Sequence, residues 1–160
     1  MNEYHAIMNL LGTYGQTVDE WPRRPNDYAD LFTEDAQFTD NGITVGPRSK
    51  ILALMQGAAD ITSDQPLLAG TRHLHLNPVI NIDGERGTGS VDLLVLELSP
   101  EHGWRVRGSG RYADEYARCT DGVWRFKSRI LTWFKDAGPD PLNPKLGAIY
   151  ADIFRQAMAD

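Results

Sequence analysis

Residues 71–134, TRHLHLNPVINIDGERGTGSVDLLVLELSPEHGWRVRGSGRYADEYARCTDGVWRFKSRILTWF, alternate apolar and polar side chains over long runs. Alternation with period two is typical of β-strands whose two faces differ in polarity. Turn signals at 83–84, 100–103 and 121–122 interrupt these runs. Long neighbouring strands joined by short turns predict a meandering antiparallel sheet.

The faces of these strands differ in composition. The second strand, Thr88–Leu98, has a dense apolar run that suits a buried central strand. Two further strands are expected over Trp104–Arg118 and Val123–Phe134. In the first strand, one face is expected to hold Leu74, Leu76, Ile80 and Ile82, and the opposite face His73, His75, Asn77, Val79 and Asn81.

The N-terminal half has helical spacing. Apolar or aromatic residues recur every three or four positions from Tyr4 to Val18, and the helix is expected to end within Asp19–Pro25, where two X-Pro pairs disfavour helical geometry. The expected elements that follow are a helix from Asn26 through Phe32, a strand over Asp35–Thr39, a turn at Asn41-Gly42, a strand over Ile43–Val45, a helix over Arg48–Gly57 and a loop over Ala58–Gly70. Helices followed by a curved sheet predict an α+β fold with the helices on one face of the sheet.

Two segments are expected along the chain of 160 residues. Residues 1–135 form one α+β domain, which is long enough to bury a core of its own. Residues 136–160 begin with a proline-rich stretch and return to helical spacing over Lys145–Met158. This tail is expected to hold a helix that docks on the body or on another subunit.

Composition and charge exclude several classes of protein. The net charge of -6, from 16 Lys and Arg against 22 Asp and Glu, argues against a surface that follows phosphate backbones, which needs clustered cations. No stretch approaches the roughly 20 apolar residues of a membrane span, and the N-terminus lacks the features of a signal peptide. The single cysteine, Cys119, suggests a reducing compartment. The sequence therefore predicts a cytoplasmic protein without nucleic-acid or membrane partners.

Several catalytic signatures are absent from the sequence. It has no glycine-rich phosphate loop, no Gly-x-Gly-x-x-Gly and no Gly-x-Ser-x-Gly, so nucleotide-dependent chemistry and serine hydrolysis lose support. His73 and His75 form a His-x-His pair, a geometry that metals use, but further ligands of matching placement are not evident nearby. The expectation is that no metal is bound, with one ring buried and hydrogen-bonded and the other near a rim.

A general base is the sharper interpretation of His73. Asp19 lies at the end of the first helix, and a carboxylate bonded to one ring nitrogen fixes the tautomer and leaves the other nitrogen to take a substrate proton. The alternative from spacing alone is that Asp19 is a solvated residue at a helix end. Within the apolar run of the second strand, a charge is costly unless paired, so Asp92 is expected to pair with Arg107, Arg111 or Arg129. The alternative is that Asp92 is a second carboxylate of the pocket.

Several short motifs resemble those of one family. They are Tyr14-Gly-Gln-Thr-Val-Asp19, Tyr28-Ala-Asp-Leu-Phe32, Asp35-Ala-Gln-Phe38, Gly46-Pro47, Thr71-Arg-His-Leu-His-Leu-Asn77, Gly110–Tyr116 and Asp121–Phe126. Together they are similar to the SnoaL-like branch of the nuclear-transport-factor-2-like superfamily, most of all to hexachlorocyclohexane dehydrochlorinase and, more distantly, to scytalone dehydratase. The resemblance implies a cone-shaped α+β barrel around a deep pocket, and assembly as a homodimer or homotrimer.

The resemblance also implies a site. Asp19 and His73 match the catalytic pair of the dehydrochlorinase, and Arg129, with Arg125 as the weaker candidate, matches an arginine that stabilises the departing anion. No metal or organic cofactor is implied. The first helix has no lysine where the dehydrochlorinase uses one, and Tyr14 in that part of the helix suits a dehydratase or isomerase better. The residues assigned to substrate binding are Tyr14, Trp21, Phe38, Leu54, Met55, Asn77 and Trp133, and ordinary core packing is the alternative for most of them.

The expected function is that of a cofactor-independent lyase or isomerase, which uses the Asp-His general base on a small apolar molecule, cyclic or acyclic. Fold alone does not decide function. One alternative is a non-catalytic module that binds a small molecule or another subunit. Another is the accessory beta-type subunit of a ring-hydroxylating dioxygenase.

Overall fold

The computed structural model describes residues 2–20, 24–61 and 70–134. Trp21, most of the expected loop over 58–70 and the tail 136–160 lie outside these residues. Helices precede the long strands, and the predicted α+β class is confirmed. The elements are α1 Glu3–Asp19, α2 Pro25–Ala29, β1 Phe32–Asp40, β2 Ile43–Val45, α3 Arg48–Ile61, β3 Thr71–Asp83, β4 Arg86–Ser99, β5 Gly103–Arg118 and β6 Trp124–Trp133.

The strands form one mixed sheet in the order β2-β1-β6-β5-β4-β3. β3 to β6 are joined as the predicted antiparallel meander, and β1 lies parallel to β6. The turn at Asn41-Gly42 joins β1 to β2 as predicted. The sheet is strongly curved and open, in keeping with a cone-like fold. Its inner face packs against the helices, with α1 against β3 and β6 and α3 against β1.

α1 has the predicted apolar stripe. Asn2 caps its first turn by accepting a hydrogen bond from the backbone N–H of Tyr4 at 3.0 Å. Ile7, Leu11 and Tyr14, spaced by four and three residues, are buried against the inner face of the sheet. None of the described helices is long and apolar enough to cross a membrane.

β3 departs from the predicted alternation because of a β-bulge. Between Leu76 and Val79 it has one more residue than the facing part of β4. Asn77 has a φ of 51° there, in a left-handed region that Asn tolerates better than most residues. The extra residue brings Ile80 to the inner face, where it packs against the core, while Leu76 is exposed. The prediction that Ile80 shares a face with Leu74 and Leu76 is therefore wrong.

β4 is buried on its inner face only. Val91, Leu93 and Val95 are buried, whereas Leu94 and Leu96 on the outer face are half-buried. No described element covers that outer face, so the burial predicted for this central strand holds on its inner face. The continuous apolar run reflects two faces with different environments.

Two helix ends differ from the prediction. α2 ends at Ala29 and does not reach Phe32, because Phe32 is the first residue of β1 and pairs with Phe126 of β6. α3 continues past Gly57 to Ile61. An interior glycine costs a helix only about 1 kcal/mol relative to alanine, which is too little to end a helix by itself.

Candidate active site

Asp19, the last residue of α1, contacts His73 near the start of β3. The distance between Nδ1 of His73 and Oδ1 of Asp19 is 2.7 Å. The same carboxylate accepts the backbone N–H of His73 at 3.0 and 3.2 Å. These two residues are called the dyad below. Their side chains are 11% and 12% exposed, so the contact is shielded but reachable.

The dyad geometry assigns a tautomer to His73. A carboxylate accepts hydrogen bonds only, so Nδ1 carries the proton and Nε2 has the lone pair. No hydrogen bond joins Nε2 to another described residue. The ring can therefore take up a proton at Nε2, and the charge of Asp19 would stabilise the imidazolium that results.

A glycine lets α1 approach β3 closely enough for this contact. A Cβ atom added to Gly15 would lie 2.9 Å from the backbone oxygen of His73 and 3.4 Å from Nδ1 of His75. A separation of 2.9 Å is too short for a real Cβ contact. Any larger residue at position 15 would therefore push the end of the helix away from the strand.

A cavity of about 380 Å³ lies between α1 and β3, and the dyad forms part of its wall. This volume is within the range of sites that hold small molecules. Most of the remaining wall is apolar, and Gln16, Arg72 and His75 add polar groups. The apolar side chains in the wall include Met8, Leu11, Leu76, Pro78 and Val91.

His75 is a neutral imidazole on the same strand face. Its Nε2 atom lies 3.3 Å from Nη2 of Arg129, and the backbone carbonyl of Leu11 accepts a hydrogen bond from the ring. Burial, followed by the charges of Arg129 and His73, lowers the pKa of His75 to about 3. The ring therefore donates from Nδ1 to α1 and accepts at Nε2 from β6.

Arg129 is fully buried among aromatic rings. Its Cζ atom lies 4.0, 3.6 and 4.3 Å from the ring centroids of Tyr14, Tyr112 and Phe126. Its Nε atom is 3.6 Å from a carboxylate oxygen of Asp114. Cation–π contacts of this kind stabilise a desolvated guanidinium. No hydrogen bond or ion pair joins Arg129 to the dyad.

Any influence of Arg129 on the dyad is therefore exerted by its charge or through His75, since the two are not in contact. Arg125, the weaker candidate, lies elsewhere. It forms two hydrogen bonds with Asp121, at 2.9 and 2.8 Å, and these bonds lower the pKa of Asp121 to about 2.

Four of the residues assigned to substrate binding are core residues. Tyr14, Phe38, Leu54 and Met55 are all buried. The hydroxyl of Tyr14 lies 3.0 Å from that of Tyr28, and burial raises the pKa of Tyr14. None of these four side chains lines the cavity beside the dyad.

Asn77 and Trp133 have other partners. The amide of Asn77 donates to Asp92 at 3.1 Å, and Arg111 donates to the same carboxylate at 2.6 Å. The hydrogen bond from Arg111 lowers the pKa of Asp92, so the predicted pairing of this carboxylate with an arginine is confirmed. The indole N–H of Trp133 donates to Asp40 at 2.8 Å. None of these groups contacts the dyad.

Asp40 is a polar inner-face residue that the sequence analysis missed. Burial raises its pKa, and the hydrogen bonds from Trp133 and from the backbone of Asn41 only partly offset that effect. An acidic residue beside a tight turn is usually solvated. The sequence therefore held no signal that this carboxylate lies against an indole on another strand.

The two rings of the His-x-His pair have separate partners. His73 is bonded to Asp19, and His75 to Leu11 and Arg129. Within residues 2–20, 24–61 and 70–134, no group of three or more His, Cys, Asp or Glu side chains is arranged to hold a metal ion.

Comparison with known proteins gives a family and a set of similar folds. A family model for a SnoaL-like domain matches residues 1–130. The solved structure of Rv3472 from Mycobacterium tuberculosis, a protein of unknown function, is 22% identical, with 97% of this chain and 96% of that chain covered and a TM-score of 0.78. No curated protein matches the sequence.

Two further solved structures come from Novosphingobium aromaticivorans. A scytalone dehydratase-like protein is 21% identical, with 82% of this chain and 84% of that chain covered and a TM-score of 0.65. A protein described as the beta subunit of an aromatic-ring-hydroxylating dioxygenase is 22% identical, with 81% and 87% covered and a TM-score of 0.64. Identities this low establish likeness of fold alone.

Proposed function

The chain belongs to the SnoaL-like domain family, and from that premise we propose that it is a cofactor-independent lyase or isomerase in which the dyad acts as general base on a small, largely apolar molecule. The family includes polyketide cyclases, scytalone dehydratase-like enzymes and dioxygenase beta subunits. Membership alone therefore leaves the reaction open. The proposal rests on the side chains at the cavity.

The observation that carries the proposal is the 2.7 Å hydrogen bond from Nδ1 of His73 to Asp19. It supports a histidine whose tautomer is set and whose Nε2 atom is available to a ligand in the adjoining cavity. The mostly apolar wall of that cavity favours a substrate with few charged groups.

In the proposed mechanism, Nε2 of His73 removes a proton from a carbon atom beside an electron-withdrawing group. Asp19 stabilises the imidazolium, and this pair contributes a rate factor of roughly 10² to 10⁴. In a lyase, the electron pair forms a double bond as a leaving group departs from the neighbouring carbon. In an isomerase, the proton returns to a different carbon.

Arg129 keeps a supporting role in this proposal. Its guanidinium contacts His75, which lies on the same strand as His73. A buried charge acts over longer distances than an exposed one. It would stabilise negative charge that develops on the substrate or the leaving group. Because His75 is neutral, it does not add a second positive charge that would oppose protonation of His73.

Carbon–hydrogen exchange tests the general base before the natural substrate is known. The protein is incubated in D₂O with simple cyclic ketones such as 1-tetralone, and loss of the α-proton signal is followed by NMR. We expect the His73→Asn variant to lose the protein-catalysed exchange and Asp19→Asn to lower it about 100-fold. The control is His102→Asn, whose side chain is 66% exposed.

One result of the exchange experiment would contradict the proposal. Exchange that is equally fast in the wild type and in His73→Asn would show that this histidine is not the base. A second candidate function, that of a non-catalytic subunit, would then be favoured, since the outer sheet face is apolar and the fold is similar to that of a dioxygenase beta subunit.

A further inference from the structure

Arg72 is a charged residue of the cavity that the dyad mechanism does not use. It directly precedes His73 in β3, and both residues line the cavity between α1 and β3. Apart from the two histidines, Asp19 and Arg72 are the only ionisable side chains among the described lining residues. The positive charge of Arg72 is therefore the main feature of this wall that a general base does not explain.

The backbone of β3 places the Arg72 guanidinium at the free edge of the sheet. β3 is the last strand in the sheet order, so its backbone is paired with β4 on one side only. The N–H of His73 points away from β4, to Asp19 at 3.0 Å. The carbonyl of Thr71, two residues earlier, lies along the same edge, because backbone groups alternate in direction along a strand. Nη1 of Arg72 donates to that carbonyl at 2.6 Å, so the guanidinium and the dyad border the same edge of β3.

Two contacts hold the guanidinium and leave most of its donors available. One is the hydrogen bond from Nη1 to the Thr71 carbonyl. The other is a cation–π contact, in which Cζ lies 5.7 Å from the centroid of the Trp104 ring. Nε and Nη2 form no hydrogen bond with a described residue. That side of the guanidinium is a planar pair of donors, which matches the two oxygens of a carboxylate.

The carboxylates nearest to Arg72 along the strands have other partners. Asp19 is bonded to His73. Glu97, on the facing part of β4, has a carboxylate oxygen 3.6 Å from Nη2 of Arg105. Within the part of the chain that the structure describes, no carboxylate forms an ion pair with Arg72. An anion that enters the cavity can therefore pair with this guanidinium without displacing a described carboxylate.

We propose that Arg72 binds a carboxylate of the substrate, and that the substrates are monocarboxylic acids with an apolar body. This inference rests on the proposed function, because it names the substrate class of the same cavity. One guanidinium matches one negative charge, and the charge of Asp19 opposes a dianion such as a phosphate monoester. The apolar side chains that follow along β3, Leu74, Leu76 and Pro78, would contact the body of the acid.

The carboxylate is an anchor and takes no part in the bond changes. The reacting carbon lies elsewhere in the substrate, beside the electron-withdrawing group, and Nε2 of His73 takes its proton. Binding energy from a remote part of a substrate helps to position the reacting carbon. Arg72 is thus a specificity residue, and its loss should weaken the use of acids without changing the use of neutral ketones.

Binding of two matched inert ligands tests the carboxylate site without turnover. 2-Naphthoate and 2-naphthamide share a bicyclic apolar body and differ in charge, and calorimetry measures the Kd of each. We expect the wild type to bind naphthoate about 10-fold more tightly, and Arg72→Gln to lose this preference. Arg72→Lys should keep only part of it, because lysine has the charge but not the planar fork. The matched control is Arg86→Gln on β4, at an exposed position outside the cavity.

Proton exchange then relates the carboxylate site to the base. The α-protons of 1-tetralone-6-carboxylate and of 1-tetralone-6-carboxamide are followed by NMR in D₂O. We expect the ratio of kcat/KM for the acid to kcat/KM for the amide to fall about 10-fold in Arg72→Gln. The value for the amide itself should change less than about twofold. His73→Asn should lose exchange from both ketones and still prefer naphthoate to naphthamide.

The outcomes separate this inference from the proposed function. Equal binding of naphthoate and naphthamide to the wild type, or a preference for naphthoate that Arg72→Gln keeps, would overturn the carboxylate site. Exchange that depends on His73 would leave the proposed base intact in either case. A preference for naphthoate that depends on Arg72, in a protein that catalyses no exchange, would support the carboxylate site and contradict the base.

Discussion

At the scale of single residues, His75 shows how packing sets a charge state. The ring is fixed between the Leu11 carbonyl and Arg129, and its contacts with the rings of Tyr14 and Tyr112 have centroid distances of 5.6 and 5.7 Å. A protonated imidazole would have no lone pair on Nε2 to accept the hydrogen bond from Arg129. Its positive charge would also lie beside that of the guanidinium. The neutral form is therefore part of the folded structure.

The pH dependence of stability follows from this fixed neutral state. The pKa of His75 is about 3 in the folded protein, below the value of about 6.5 expected in the unfolded chain. As the pH falls through the unfolded value, only the unfolded state takes up the proton, so stability decreases. Between pH 7 and pH 5 we expect this group to lower the free energy of unfolding by about 2 kcal/mol.

Urea unfolding at several pH values measures this contribution. The His75→Gln variant should be less stable at pH 7 because it loses the fitted ring, but its stability should fall less steeply toward pH 5. His102→Gln, at an exposed position, should keep the wild-type slope. A slope that is unchanged in His75→Gln would contradict the assignment of a buried neutral ring.

At the scale of elements, the approach of α1 to β3 depends on one of two glycines in the same helix. A Cβ at Gly15 would lie 2.9 Å from the His73 carbonyl oxygen, whereas a Cβ at Gly12 would meet no atom within 4 Å. Both positions lie in the interior of α1. Substitutions at Gly12 therefore test helix propensity alone, whereas substitutions at Gly15 also test the contact between α1 and β3.

Alanine substitution at these two positions should have opposite effects. Gly12→Ala should stabilise the protein by up to about 1 kcal/mol, because alanine is the better helix former. Gly15→Ala should destabilise it by about 1–3 kcal/mol, since the helix must move away from β3. Thermal unfolding measures both, and proton exchange from ketones should fall in Gly15→Ala alone. Similar stabilities for the two variants would contradict the close contact.

At the scale of the whole molecule, the outer sheet face carries exposed apolar side chains that no described element covers. Leu98, Trp104 and Val106 on β4 and β5 are 50%, 50% and 60% exposed, and Leu98 pairs directly with Trp104. Apolar patches of this kind mark interaction sites. The expected homodimer or homotrimer would bury this patch.

Sedimentation velocity tests that expectation. We expect the wild type to sediment as a dimer or trimer and Val106→Arg to shift toward the monomer, because the substitution places a charge in an apolar contact. Val123→Arg is the matched control, since Val123 is 49% exposed in the turn before β6. A monomeric wild type, or association that Val106→Arg leaves unchanged, would contradict the prediction.

Much of the fold follows from local sequence pattern. The spacing of Ile7, Leu11 and Tyr14 predicted the face of α1, and Asn41-Gly42 predicted the hairpin, because helix period and turn conformation are properties of neighbouring residues. The meander of β3 to β6 followed from the same kind of signal. These elements needed no knowledge of the remainder of the chain.

The site depended on the sequence in a different way. Position at a helix end and at a strand start, together with the family resemblance, selected Asp19 and His73, and the structure brings them to 2.7 Å. Their catalytic role remains a prediction. The alternation of apolar and polar residues did not predict the bulge at Asn77. The one extra residue there changes the face of every residue after it in the strand.

Only the tertiary structure decided the surroundings of the dyad. Arg129 lies in an aromatic cage, and Asp40 is bonded to Trp133, 93 residues away in the chain. The contact of Asp40 with Trp133 depends on the parallel pairing of β1 with β6, and the rings around Arg129 come from α1, β5 and β6. The sequence by itself determined which segments become helices and strands, since those preferences are local. Which side chains meet across the inner face depends on strand register, which only the packing of the whole sheet fixes.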